Sequence, residues 1–158
     1  TGELVLVTRN GMSIRFLEDL VKPMGRATAG VRGIQLKEDD EVAAALRAQS
    51  EEGEVFVISD RGYAKRSLLV DYPVQNRGGR GHPTFEFKSG KGVRSNGTAL
   101  VTALYVKEDF EVSVLTSNGD EVIASTRKAP LESRRSTGKM FASITKDETV
   151  LSAFPHIN

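Results

Sequence analysis

The chain has 158 residues, a formal net charge of +1 and 39% apolar side chains, enough for one substantial core or a short array of repeats and too apolar for a disordered chain. Without cysteine it can form neither disulfides nor a thiolate zinc site, and His82 and His156 alone offer little to any other transition metal. No apolar run approaches the roughly 20 residues that a membrane helix needs, TGELVLVTRN has no signal-peptide anatomy, and the composition suits a reducing cytoplasm, with no cofactor implied.

Three stretches pair an apolar run with a tight-turn dipeptide and read as a strand entering a hairpin: LVLVTRNG (4–11), VFVISDRG (55–62) and VSVLTSNG (112–119). With Gly11, Gly62 and Gly119 as origins the spacings are 51 and 57, within the range that marks a propeller, solenoid or array. Fixed offsets support the register. Three positions before each glycine stands a hydroxyl residue (Thr8, Ser59, Thr116), fifteen after it an arginine (Arg26, Arg77, Arg134), and nineteen after it a glycine (Gly30, Gly81, Gly138). Matching LKEDDEV (36–42) to VKEDFEV (106–112) instead gives a spacing of 70 and breaks that register.

Each unit is expected to run through four strands. The first covers 3–8, 54–59 and 111–116; the second covers 12–17, 63–69 and 121–126. A loop with the repeated arginine and glycine leads to a third strand (31–36, 83–88, 139–145) and then a fourth (42–47, 98–106, 149–154). DDEVAAALRAQSEE has the composition of a short helix, but it occupies the phase of TALVTALYV and is therefore assigned as strand. The expected fold is all-β: about three propeller-like blades of four antiparallel strands, over roughly 1–52, 53–109 and 110–158.

The near-neutral total conceals alternating blocks. Residues 1–37 carry +3, 38–60 carry −7, 61–107 carry +7, 108–121 carry −5, 122–146 carry +5 and 147–158 carry −2. The basic blocks fall on the second strand, the arginine loop and the third strand of each unit. Equal phase in a repeat means equal position on the body, so the basic loops are expected along one edge, a surface suited to phosphates. No recognition helix or set of stacking aromatics accompanies them, so backbone contact is expected rather than base reading.

Other chemistry is poorly supported. SGKG (89–92) lacks P-loop spacing, and RGGRG does not lead from a strand into a helix as a dinucleotide fingerprint does. Neither histidine has an acid and a nucleophile placed around it, and Tyr63, Tyr72 and Tyr105 fall within the repeat's strands and loop, so no catalytic residue is assigned. One RGG-like element is weak beside the tandem tracts of RNA binders. An interaction scaffold whose basic loops merely keep it soluble is the competing reading.

LVLVTRNGMSIRFLEDLVKPMGRATAGVRGIQLKEDDEV and DRGYAKRSLLVDYPVQNRGGRG closely resemble blades in the C-terminal domain of the bacterial DNA gyrase A subunit, over nearly the whole chain and more weakly after about residue 126. The signature box of that family reads QRRGGRG; QNRGGRG (75–81) is a variant with Asn76. The resemblance implies a β-pinwheel of which this chain is about half, wrapping double-stranded DNA on its basic perimeter. It also implies three partners, namely the remaining blades, the catalytic part of the gyrase A chain and the ATPase B subunit; topoisomerase IV is the close relative. Arg77 and Arg80 are expected on phosphates, with Gly78, Gly79 and Gly81 letting backbone N–H groups approach the duplex. Arg26, Arg32, Arg134, Arg135 and Lys139 follow, then Lys65, Arg66, Lys88, Lys91 and Arg94. Open blade edges invite self-association.

Overall fold

The computed structural model describes residues 2–20 and 33–157. Among these residues the chain forms eleven strands: β1 (Glu3–Thr8), β2 (Met12–Leu17), β3 (Val42–Ala48), β4 (Glu54–Ser59), β5 (Tyr63–Leu68), β6 (His82–Pro83), β7 (Leu100–Val106), β8 (Glu111–Thr116), β9 (Glu121–Ser125), β10 (Lys139–Met140) and β11 (Val150–Pro155). Single 3₁₀ turns at Glu18–Leu20, Leu69–Asp71 and Thr126–Lys128 follow the second strand of each unit.

The offsets noticed in the sequence are parts of one hairpin used three times. Gly11, Gly62 and Gly119 take φ of 88°, 80° and 84°, a region open to glycine, and their N–H groups bond the carbonyls of Thr8, Ser59 and Thr116 at 3.1, 3.1 and 3.0 Å. The hydroxyls of those three buried residues accept from the N–H of Met12, Tyr63 and Asp120 at 3.1, 3.2 and 3.2 Å. A side-chain acceptor thus satisfies the donor that the turn leaves open.

The helix-like segment is a strand. Val42–Ala48 pairs antiparallel with β1 from Glu3↔Ala48 to Thr8↔Val42, sending Leu46 and Ala48 into the core. A free edge on β1 and an apolar face to cover outweigh the helix propensity of its alanines.

The third strands differ from expectation. Residues 33–36 form no strand, and in place of 83–88 and 139–145 there are only the two-residue strands β6 and β10. These pair outside their own unit. β6 joins β2 through Ser13↔His82 and Met12↔Pro83, and β10 joins β5 through Ala64↔Lys139 and Tyr63↔Met140. The sheets therefore run β3-β1-β2-β6, β10-β5-β4-β7 and β11-β8-β9, each of the first two completed by residues of the following unit.

Two apolar layers separate the three sheets. Val5, Val7, Leu46, Val55, Val57 and Leu100 meet in the first; Phe56, Ile58, Val112, Val114 and Phe141 meet in the second, where the Phe56 and Phe141 rings pack edge-on at 5.2 Å. The middle sheet is covered on both faces, so β4 is buried continuously from Val55 to Ser59 and shows no alternation.

Candidate nucleic-acid interface

The loops that carry the repeated arginine lie at equivalent positions on adjacent sheets. Loop 75–81 starts where Gln75 N–H bonds the Arg15 carbonyl on β2 (2.7 Å); loop 132–138 starts where Glu132 N–H bonds the Arg66 carbonyl on β5 (2.8 Å). Each loop ends in the short strand that the preceding sheet receives. Gln35 N–H to Gly79 O (2.7 Å) is matched by Glu86 N–H to Ser136 O (2.9 Å). Both loops therefore occupy the same position in the register of successive sheets. The loop around Arg26, with Lys22, Gly30 and Arg32, lies outside the described residues.

Two glycines of QNRGGRG, Gly78 and Gly81, seat the loop on the protein. Gly78 (φ 84°) donates its N–H to Gly33 O at 2.7 Å. Gly81 (φ 78°) lies so close to β2 that a Cβ there would collide with the Ser13 carbonyl. Gly79 has ordinary φ, and a Cβ on it would only touch Ile14 Cδ1 at 3.4 Å. Gly138 repeats the role of Gly81, with φ 68° and a Cβ position 2.9 Å from Ala64 O. Seated this way, the loop presents Arg77 and Arg80 as exposed side chains.

Loop 132–138 uses its arginine differently. Arg134 turns inward, its Nε donating to Asp71 O (3.1 Å) and Nη1 to Pro83 O (2.5 Å), and so it clamps the preceding unit. Arg135 and Lys139 are the exposed cations here. Arg134 is half-buried where Arg77, at the same offset, is exposed.

Lys65 and Arg66 also leave the expected surface. Lys65 is fully buried, and its Nζ donates to Ser133 O at 2.7 Å and Arg134 O at 2.6 Å. Burial pulls its pKa down to about 7, with Glu132 opposing the shift and Arg134 adding to it. Arg66 donates through Nε to Ala129 O (2.7 Å) and through Nη1 to Glu54 (3.0 Å).

Arg66 has a counterpart that sequence reasoning missed. Buried Arg15 pairs with Glu3 through Nε, and its Nη1 donates to Leu69 O (3.1 Å) and Tyr72 O (3.0 Å) at the entrance to loop 75–81. The signal was available: Glu3 and Glu54 stand eight before the hairpin glycine, and Arg15 and Arg66 four after it. In the third unit Glu111 keeps its place, but Ile123 replaces the arginine.

Lys88, Lys91 and Arg94 are exposed on the extra turn of the second unit, where Gly90 and Gly92 take φ of 133° and 75° with open space around them. The root of that turn is fixed by buried Asn96, whose Oδ1 accepts from Lys88 N–H (2.6 Å) and whose Nδ2 donates to Glu86 O (2.9 Å) and Thr137 O (2.8 Å). The projection is thereby tied to loop 132–138.

The arrangement suits anion contact. Seven exposed cations, Arg77, Arg80, Lys88, Lys91, Arg94, Arg135 and Lys139, stand on the two loops, the projection and β10. Among the described residues no three His, Asp or Glu side chains are grouped to hold a metal. The Tyr72 hydroxyl is buried against Thr84 Oγ1 at 2.5 Å, and burial pushes its pKa up to about 12, the reverse of what an attacking phenolate requires.

Comparisons agree with this geometry. The family model described as the DNA gyrase C-terminal domain, a beta-propeller, matches residues 2–49, 53–90 and 131–156. The DNA gyrase A subunit of Mycobacterium leprae is 35% identical over 153 residues, covering 96% of this chain and 12% of that protein; its counterpart in Deinococcus deserti is 37% identical over 158, covering 96% and 18%. The chain thus spans less than a fifth of these relatives. Among solved structures, a C-terminal domain of DNA topoisomerase IV aligns with TM-score 0.85 at 23% identity, over 98% of this chain and 46% of that one. A DNA gyrase A C-terminal domain aligns at 0.83 and 22%, over 98% and 50%. Both share the fold.

Proposed function

The chain belongs to the DNA gyrase C-terminal domain family, and from that premise we propose that it binds double-stranded DNA without sequence specificity along the loop-bearing rim. There it bends the duplex as part of a type IIA topoisomerase A subunit. The observation that carries this reading is the placing of two loops, each with exposed cations, at one position on successive sheets: Arg77 and Arg80 on the first, Arg135 on the second with Lys139 beside it. A row of charges along a curved edge can follow phosphates, whereas the same charges dispersed could not.

Bending a 20–30 bp site by 40–90° costs on the order of 1–6 kcal/mol, so contacts must be spread along the path. Lys88, Lys91 and Arg94 extend the row beyond the loops. The role is mechanical; strand cleavage and ATP use belong to other parts of the parent enzyme, with which the domain works. The mycobacterial and Deinococcus relatives, at 35% and 37% identity, support a gyrase parent over topoisomerase IV.

Duplex binding measured across a salt series tests this. Log K is expected to fall with log[salt] by about 0.9 per phosphate neutralised. Nicked circular DNA religated with the bound chain is expected to show a shift in linking number whose sign gives the hand of the wrap. Binding that ignores salt, or no binding, would leave the scaffold reading standing.

A further inference from the structure

We propose that Lys65 is a positioning residue for the rim: from inside the second sheet it clamps the peptide of Ser133 and Arg134, and so sets Arg135 and Lys139 in place for a polyanion. This rests on the DNA-binding reading above but concerns a residue that no duplex touches.

The geometry is reciprocal. The Lys65 ammonium crosses from β5 to the carbonyls of Ser133 and Arg134, while the Arg134 side chain crosses back to the carbonyls of Asp71 and Pro83. The peptide that precedes Arg135 is held from both directions, so the direction in which Arg135 leaves the loop is fixed. At the matching place in the first sheet stands Ile14, apolar and buried, and there the loop closes through Gly78 N–H to Gly33 O.

The charged groups acting on Lys65 come from loop 132–138. Glu132 favours the ammonium, Arg134 opposes it, and buried Tyr72, with Asp71 next to it, lies on the turn that Arg134 grips. Glu132 Oε1 is already accepting from Gly138 N–H at 3.0 Å. In water a lysine keeps its proton to about 10.5, whereas in place Lys65 loses it near 7. Opening the loop therefore takes up a proton above pH 7. The open population falls as pH rises, by up to about tenfold per unit, and levels off below 7. The Tyr72 phenol, pushed up to about 12 by burial, titrates above the window.

Amide hydrogen exchange of the 158-residue chain from pH 6 to 9, corrected for intrinsic rates, tests the clamp. Protection at Ser136 and Gly138 is expected to rise up to about tenfold per unit above pH 7 in the native chain and to stay flat in K65M. Flat protection in the native chain, a result that depends on no variant, would overturn the clamp. Duplex binding at pH 7.5 tests its purpose: K65M is expected to flatten the salt slope by about 1 to 2, that is by one or two lost phosphates, and K65R to restore part of it. An unchanged slope in K65M beside pH-dependent native protection would refute positioning while leaving DNA binding intact. Failure of the native chain to bind duplex would remove the DNA role of Lys65 together with the reading beneath it.

Discussion

Loops 75–81 and 132–138 start from the same place on their sheets and end in the same kind of short strand, yet they are held by different physics. The first is closed by backbone: two glycines at positive φ, a main-chain bond from Gly78 to Gly33, and Ile14 beneath Gly79. The second is closed by side-chain donors, with Lys65 and Arg134 reaching across to carbonyls in opposite directions. The cost of this appears in exposure. A loop shaped by glycine keeps both of its arginines exposed, whereas a loop shaped by cations turns one inward and leaves Arg135. One rim position can therefore be rigid in two ways, and an arginine at a repeated offset is not by itself a phosphate contact.

What the two loops share should break hardest. Arg15→Ala would strip a buried guanidinium from Glu3 and from the carbonyls of Leu69 and Tyr72, and is expected to cost about 3–5 kcal/mol in denaturant unfolding. Arg66→Ala, less buried, is expected to cost less. Next comes the backbone-held loop: Gly81→Ala meets both positive φ and the Ser13 carbonyl, for about 1–3 kcal/mol, and Gly138→Ala should behave alike because that glycine serves the same seat. Gly79→Ala, with ordinary φ and mere contact, is expected to change stability by less than about 1 kcal/mol; equal losses at 79 and 81 would contradict the account of this loop.

Binding separates the arginines. Arg77→Ala with Arg80→Ala is expected to flatten the salt slope by up to about 1.8, and Arg135→Ala with Lys139→Ala by a similar amount. Arg134→Ala should instead lower stability by about 1–2 kcal/mol, losing its bonds to Asp71 O and Pro83 O, with a slope change below that of either pair. The pH dependence of the loop that Lys65 holds can be read without DNA. Between pH 7 and 10.5 the unfolded chain binds a proton that folded Lys65 does not, so this group makes stability rise with pH, by up to about 1.4 kcal/mol per unit. The melting temperature of the native chain should gain on that of K65M from pH 7 to 9; a constant difference would argue against the shift.

The hairpins are legible in the sequence because each is a local device: a buried hydroxyl, a turn and a glycine at positive φ lie within five residues of one another. The third strands escape such a reading because their partners are distant. Nothing within HPTFEFK says that His82 and Pro83 lie against β2 of the preceding unit. Lys65 and Arg66 look like surface because a basic residue in a basic block looks solvated. The period-two signal that would separate inward from outward residues fades in a sheet covered on both sides, where Ala64 and Lys65 are both buried. The helix-like alanines of Val42–Ala48 are recognisable as strand only by their phase in the repeat.

The borrowed strands bear on how such a chain is made. Met12 and Ser13 find their outer neighbours only at Pro83 and His82, about seventy residues later, and Tyr63 and Ala64 theirs only at Met140 and Lys139. As the polypeptide leaves the ribosome, neither of the first two repeats can mature alone; each waits for its successor, with slow, long-range closure steps. Excising a single repeat at its sequence boundary would yield a sheet with one flank bare and a stray tail.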